Sequence, residues 1–293
     1  SGGNAVDAAT AISFALGVVE PSMSGLGGDG FYHVWDAKKK RSTVFNGTGP
    51  APQNIQDIHF LSERMAVDGP LSVSTPGMVG GVSAMHKAYG SLCWAALCKP
   101  AVNLANDGFF VTHAYRSFVL ASKRKLMNNC SSRLIFLDKD KIPLLGDKIV
   151  QLKLATTLNQ LAEEGAESFY RGSLAEKITE DMKAAELIVA YDDLESFNPQ
   201  TQESISVNYK GFEIRQTPPN STGFVMLQEL KIFEQFDVSS MSLESAELIH
   251  LMVESKKQAF LDRERFGGDP LFVDIPIDDL LSDSHAVELA KKI

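Results

Sequence analysis

Apolar positions along the chain recur with two periods. In NAVDAATAISFALGVV, Val6, Ala9, Ile12, Ala15 and Leu16 fall at helical spacing, which predicts a helix over 5–19 that stops at Glu20-Pro21. FYHVWDA and STVFN have the β-rich composition of two strands, with the basic cluster Lys38–Arg41 as the solvated turn between them. Pro50 and Pro52 exclude a helix over 44–52. A helix is predicted to open at Pro76, capped by Ser74 or Thr75. Gly80 and Gly81 in its early turns imply close packing against another backbone.

CWAALCKPAVNLANDGF reads as two short helical pieces around Pro100, and 152–165 and 173–190 read as helices. A strand, a tight turn at Lys210-Gly211 and a second strand follow. A helix then starts with Asn220 or Ser221 as its cap. The clearest helix places Leu243, Ala246, Ile249, Val253 and Phe260 on one face. No repeat or low-complexity linker interrupts the chain, so the class is mixed α and β.

SGLGGDGFYHVWD packs Gly25, Gly27, Gly28 and Gly30 into six residues. A dinucleotide loop needs a strand before it and a helix after it, because the helix N-terminus holds the pyrophosphate. Here the order is helix, loop, strand, and there is no G-x-x-x-x-G-K-[ST] motif. The glycines are expected instead to permit a tight turn and close backbone approach, with a Cβ at Gly27 or Gly28 clashing if φ is positive. No G-x-S-x-G elbow is present. Thr112-His113 invites a nucleophile reading, but a capped helix start after the Gly108 turn accounts for it better. Asp269 and Asp274 could serve a hard cation, yet they lack further oxygen donors and read as part of a loop.

The 293 residues carry a net charge of −9, which argues against a nucleic-acid partner. No apolar run reaches the roughly 18 residues of a transmembrane helix, so no membrane partner is expected. The basic start of a signal peptide is absent, but the chain opens within a motif at Ser1-Gly2-Gly3-Asn4, so further residues are expected before it. Cys93, Cys98 and Cys130 make an odd count and no complete disulfide framework. The six histidines show no metal-ligand spacing, and no metal is expected.

Four stretches, read in order, resemble one family. GGNAVDAATAISFALGVVEPSMSGLGGDGF is similar to the opening block of γ-glutamyltranspeptidases, and STPGMVGG with KAYG to their next block. YKGFEIRQTPPNSTGFVMLQELKIFEQFD resembles the block usually written P-P-x-S-S-G-G, and AFLDRERFGGDPLFVDIPIDDLLS the block with D-R, G-D-P and F-V-D. The resemblance covers essentially the whole chain. It implies an N-terminal-nucleophile (Ntn) hydrolase of α/β class, a four-layer αββα sandwich, made by a precursor that cleaves itself into a large and a small subunit. The new N-terminal Thr of the small subunit is then the nucleophile and its own amine the base. A γ-glutamyl-enzyme forms, and water or an amino acid resolves it. No catalytic residue is expected within residues 1–293, which stop at Ile293 before any T-T-H-x-S-type motif. They would be the large-subunit portion of one domain completed by the small subunit, with no cofactor and a small-molecule amide as substrate.

One departure bears on that substrate. In the family, the strand equivalent to VFNGTGPAP carries an Arg that grips the donor α-carboxylate, and Asn46 stands there in this chain. Losing the charge-assisted pair costs about 1.5–3 kcal/mol. Glutathione specificity is therefore in question unless Arg41 or a small-subunit residue supplies the cation. The alternatives are an acylase or small-amide hydrolase without γ-glutamyl preference, or a non-catalytic binding protein. Asn220 and Thr222 within PPNSTG are a milder departure. The compartment stays open: the cysteines favour the cytoplasm, and the resemblance an exported protein.

Overall fold

The computed structural model describes residues 2–55, 68–137 and 139–293. The chain divides into two compact units, one of residues 1–32 and 45–200, the other of 33–44 and 201–293. In chain order, the elements up to residue 200 are α1 (Ala5–Val19), β1 (Phe31–Asp36), β2 (Arg41–Asn46), α2 (Met78–Tyr89), α3 (Trp94–Asp107), β3 (Phe109–Phe110), α4 (His113–Asn128), α5 (Cys130–Phe136), β4 (Lys148–Ile149), α6 (Leu152–Glu164), α7 (Glu167–Arg171), α8 (Ser173–Ala184) and α9 (Tyr191–Ser196). Then follow β5 (Gln200–Gln202), β6 (Ile205–Tyr209), β7 (Phe212–Gln216), α10 (Gly223–Phe233), α11 (Ala246–Phe266), α12 (Ile277–Leu280) and α13 (Asp283–Ala290).

The first unit is built around α1, α3 and α6. Phe14 and Val18 of α1, Cys98 and Ala101 of α3, and Leu158 and Leu161 of α6 are wholly buried in one core with Val79 and Val82 of α2. Burial raises the Cys98 thiol to about 12, so it packs as a small apolar group. α1 begins where the sequence places it, because Asn4 and Asp7 form a reciprocal capping box.

Asp7 also ties α1 to the chain after α2. Its carboxylate accepts from Asn4 N at 2.8 Å, Ser91 N at 2.8 Å, Ser91 Oγ at 2.5 Å and Leu92 N at 3.1 Å. The Ser91 hydroxyl first, and then these backbone N–H groups, outweigh burial and hold the Asp7 carboxyl far below the usual carboxylate range. A depressed carboxyl pKa stabilises the fold above the unfolded value near 4 and loses that contribution as pH falls through the folded value. Asp7→Asn is expected to lower stability at neutral pH and to flatten its decline below pH 4. Urea unfolding across pH 2–7 checks both; an unaltered acid limb would refute the linkage.

In the first unit, predicted elements differ from the structure at α3, α8 and α2. α3 runs unbroken through Pro100, because Leu97, Cys98, Ala101, Val102 and Ala105 form one buried stripe. That packing outweighs the roughly 3 kcal/mol that an interior proline costs. The helix from 173 ends at Ala184 rather than 190, where the chain turns with Glu186 at φ 59°. α2 starts at Met78, not Pro76, with Gly77 as its N-cap and no side chain capping it.

β1, β2 and β5, most of whose residues belong to the second unit, form a sheet in the order β1-β2-β5, and within that unit β6 and β7 form an antiparallel hairpin with Tyr209 opposite Phe212. The hairpin turn is the expected Lys210-Gly211, with φ 48° and 85°. Both central residues have positive φ, which suits the twist of the flanking strands. Phe224, Val225, Ala259 and Leu280 form a small core. α11 forms, but the predicted face is corrected: Leu243 precedes the helix and Ala246, Ile249, Val253 and Phe260 are exposed, while Leu248, Leu251, Ser255 and Ala259 face inward.

Candidate functional site

In the first unit, the glycine loop, the end of β2 and the start of α2 meet through backbone contacts. Gly28 O accepts from Gly77 N at 3.0 Å and Met78 N at 2.9 Å. The loop thereby satisfies N–H groups that a helix leaves unpaired at its start, which is why neither Ser74 nor Thr75 is needed as the cap. Gly30 and Gly47 exchange both backbone hydrogen bonds, at 2.9 and 3.3 Å, and Thr75 N donates to Pro50 O at 3.0 Å.

This contact is close because its residues lack side chains. A Cβ on Gly47 would lie 2.8 Å from Gly77 O and 2.9 Å from Gly81 Cα, and one on Gly49 or Gly77 would run into the carbonyl of Thr75 or Gly47. A Cβ on Gly81 would meet the Tyr32 ring at 2.6 Å and the Gly47 backbone at 3.0 Å, so the expected backbone packing holds there only in part, whereas Gly80 meets the Phe197 ring and the Tyr170 hydroxyl. The expectation for Gly27 and Gly28 is corrected. Neither has positive φ, a Cβ on Gly27 would have no neighbour within 4 Å, and one on Gly28 would lie 3.2 Å from Gly25 O. The steric demand sits one layer away, at Gly47, Gly49 and Gly77.

The loop forms one wall of a groove of about 660 Å³, lined also by Ser13 and Leu16 of α1, Tyr32 of β1 and Met78 of α2. Tyr32 donates its hydroxyl to Met78 O at 3.4 Å. Burial first, and the charge of Asp29 second, push the Tyr32 phenol well above its ordinary pKa, so it remains a neutral hydroxyl.

Asn46 is the last residue of β2 and is buried. Its Oδ1 accepts from Thr48 N at 3.0 Å and from Thr48 Oγ1 at 2.6 Å, the turn-supporting arrangement typical of asparagine. It immediately precedes Gly47, whose backbone pairs with Gly30 of the groove wall. In the second unit, Arg41 is exposed and pairs with Glu203 at 3.0 Å.

The other candidates serve local structure. Thr112 caps α4 by accepting from Tyr115 N at 3.2 Å, and His113 is the first residue of that helix. Asp269 accepts from Leu271 N at 2.9 Å in a turn, and Asp274 lies in the loop before α12. Ser221 Oγ accepts from Gly223 N at 3.1 Å beside Thr222, the N-cap of α10, while Asn220 lies in the turn before it. Cys93 and Cys130 are exposed thiols and Cys98 is buried. No group of three potential metal-ligating side chains occurs among the described residues, and none of their helices is long and apolar enough to cross a membrane.

The sequence profile described as Gamma-glutamyltranspeptidase matches residues 1–293. The chain is 35% identical over 294 residues to the glutathione hydrolase-like YwrD proenzyme of Bacillus subtilis (strain 168), covering 100% of this chain and 56% of that protein. It superposes on the γ-glutamyltranspeptidase of Helicobacter pylori with a TM-score of 0.95 and 33% identity, covering 100% of this chain and 86% of that one. It also matches the cephalosporin acylase of Bacillus halodurans, with a TM-score of 0.93 and 31% identity, over 100% of this chain and 56% of that one. The chain spans about half the length of the curated relatives it matches. Its fold is the α/β Ntn-hydrolase fold of these structures. A family profile matching every residue, together with this likeness of fold, places the chain in the γ-glutamyltranspeptidase family.

Proposed function

We propose that residues 1–293 are the large-subunit portion of a self-cleaving amidohydrolase or acyltransferase, one Ntn-hydrolase domain that a small subunit from the same precursor completes. The match along the whole chain to proenzymes about twice its length carries this reading. The nucleophile is then the N-terminal Thr of the small subunit. Its hydroxyl attacks the substrate carbonyl while its own α-amine takes the proton. The amine leaves with a proton, an acyl ester remains on the Thr, and water or a second amine displaces the Thr oxygen. This chain supplies scaffold and part of the acyl-donor pocket.

Asn46 favours a donor that lacks an α-carboxylate. A neutral amide gives a carboxylate at most one uncharged hydrogen bond, where an Arg gives a bidentate, charge-assisted pair. The hydrogen bonds from Thr48 carry the competing reading, in which Asn46 only supports the turn. Hydrolysis of a γ-glutamyl anilide and a simple acyl anilide by the mature full-length protein separates the two. The wild type is expected to prefer the simple acyl anilide. Asn46→Arg is expected to shift relative kcat/KM towards the γ-glutamyl substrate by roughly tenfold, about 1.4 kcal/mol. An efficient wild-type γ-glutamyl hydrolase whose selectivity Asn46→Ala leaves unchanged would rule the specificity role out.

A further inference from the structure

At about 660 Å³, the groove beside the glycine loop has the size of a small-molecule site. Among the described residues that line it, Asp29 carries the one formal charge. The remaining polar groups are the hydroxyls of Ser13, Ser22, Ser24 and Tyr32 and the backbone of the glycines. Tyr32 is held in its neutral form and directed at Met78 O, so it adds a dipole and no charge. The groove therefore presents a single carboxylate, and its described lining offers no cation to balance it. A substrate carboxylate entering it would shed water, find no lining cation and meet Asp29 as a like charge. An ammonium group would find a charge-assisted acceptor in Asp29 and neutral acceptors in the serine hydroxyls.

We propose that Asp29 makes this groove a subsite for the ammonium group of cationic amide substrates and selects them over anionic ones. This rests on the amidohydrolase reading above and extends it: Asn46 concerns what the donor pocket fails to grip, and Asp29 what the groove attracts.

Three amides of matched length, ending in an ammonium, a hydroxyl or a carboxylate, test it on the mature full-length protein. Turnover is measured as kcat/KM, and binding separately by ligand-observed NMR. The wild type is expected to favour the ammonium amide over the carboxylate amide. Asp29→Asn is expected to lower kcat/KM for the ammonium amide about tenfold or more, the worth of a charge-assisted hydrogen bond. The same variant should raise the carboxylate amide and leave the hydroxyl amide nearly unchanged. A merely structural Asp29 would move all three together. Equal wild-type preference, or an order that Asp29→Asn leaves unchanged in both turnover and binding, overturns the subsite. If none of the amides is hydrolysed but Asp29→Asn abolishes binding of the ammonium amide alone, the amidohydrolase reading fails and the subsite stands.

Discussion

Gly49→Val is expected to prevent the first unit from folding and to leave no processed product. A Cβ at residue 49 would overlap the Thr75 carbonyl, and Thr75 N is itself bonded to Pro50 O at 3.0 Å. Both surfaces are backbone, so no side chain can swing aside. The strands of contact would have to separate, breaking the approach of Gly47 to Gly77 and Gly81 and weakening the pairing of Gly30 with Gly47. Overpacking a core with side chains costs about 1–3 kcal/mol. A backbone clash with no route to relax exceeds that, against a total stability of only about 5–15 kcal/mol. Gly27→Ala is the control, since a Cβ there meets nothing within 4 Å. Soluble yield, thermal melting and the fraction of precursor cleaved should fall together in Gly49→Val and stay near wild type in Gly27→Ala. A normally melting Gly49→Val protein would refute the close approach.

The second large effect is expected at Asp262. Its Oδ2 accepts from Gln228 Nε2 and from His285 Nε2, each at 2.6 Å, joining α10, α11 and α13. Gln228 is wholly buried, and Leu280 O, at 3.3 Å, is the other acceptor for its amide nitrogen. Asp262→Ala strips the carboxylate from both donors, at about 1–3 kcal/mol for the buried amide alone. The loss falls where α10, α11 and α13 meet, beside the small core of Phe224, Val225, Ala259 and Leu280. Amide hydrogen exchange on the full-length protein should accelerate over 224–290 in Asp262→Ala, with residues 94–164 unchanged. Asp262→Asn, which keeps one acceptor oxygen, should fall between. Wild-type protection over 224–290 in Asp262→Ala would show that the cluster does not hold these helices together.

What the sequence disclosed follows the range of the interactions. The start of α1 and the Lys210-Gly211 turn were readable because their chemistry lies within a few residues: a capping box in one case, paired positive φ values in the other. The start of α2 was misplaced because the carbonyl that completes it, Gly28 O, lies about fifty residues earlier in the chain. The break at Pro100 was misplaced because local proline chemistry was weighed without the core stripe that overrides it. Glycine density pointed to Gly27 and Gly28, while close approach falls on Gly47, Gly49 and Gly77, each of which also reads as an ordinary turn or cap residue. The helix at α11 was legible, but its predicted inward face was wrong: Ile249, Val253 and Phe260 are exposed and Leu243 precedes the helix, because periodicity does not say which side of a helix meets the core.

The site was legible only in part. The ordered set of motifs identified the family, and the whole-chain match bears that out. Asn46 stood out as a departure from a pattern, and its bonds to Thr48 give it a structural role that sequence position alone could not reveal. Tyr32 and Asp29 did not stand out at all, because a strand tyrosine and a loop aspartate acquire meaning only as walls of one groove.

On the proposed reading, these residues belong to a precursor that cuts itself to free an N-terminal threonine. Intact-mass spectrometry of the purified full-length gene product, with N-terminal sequencing of any fragments, tests it most directly. The expected result is two polypeptides whose masses sum to the precursor plus one water, the larger containing residues 1–293 and the smaller beginning with Thr. A single chain at the precursor mass, persisting on incubation, would contradict it.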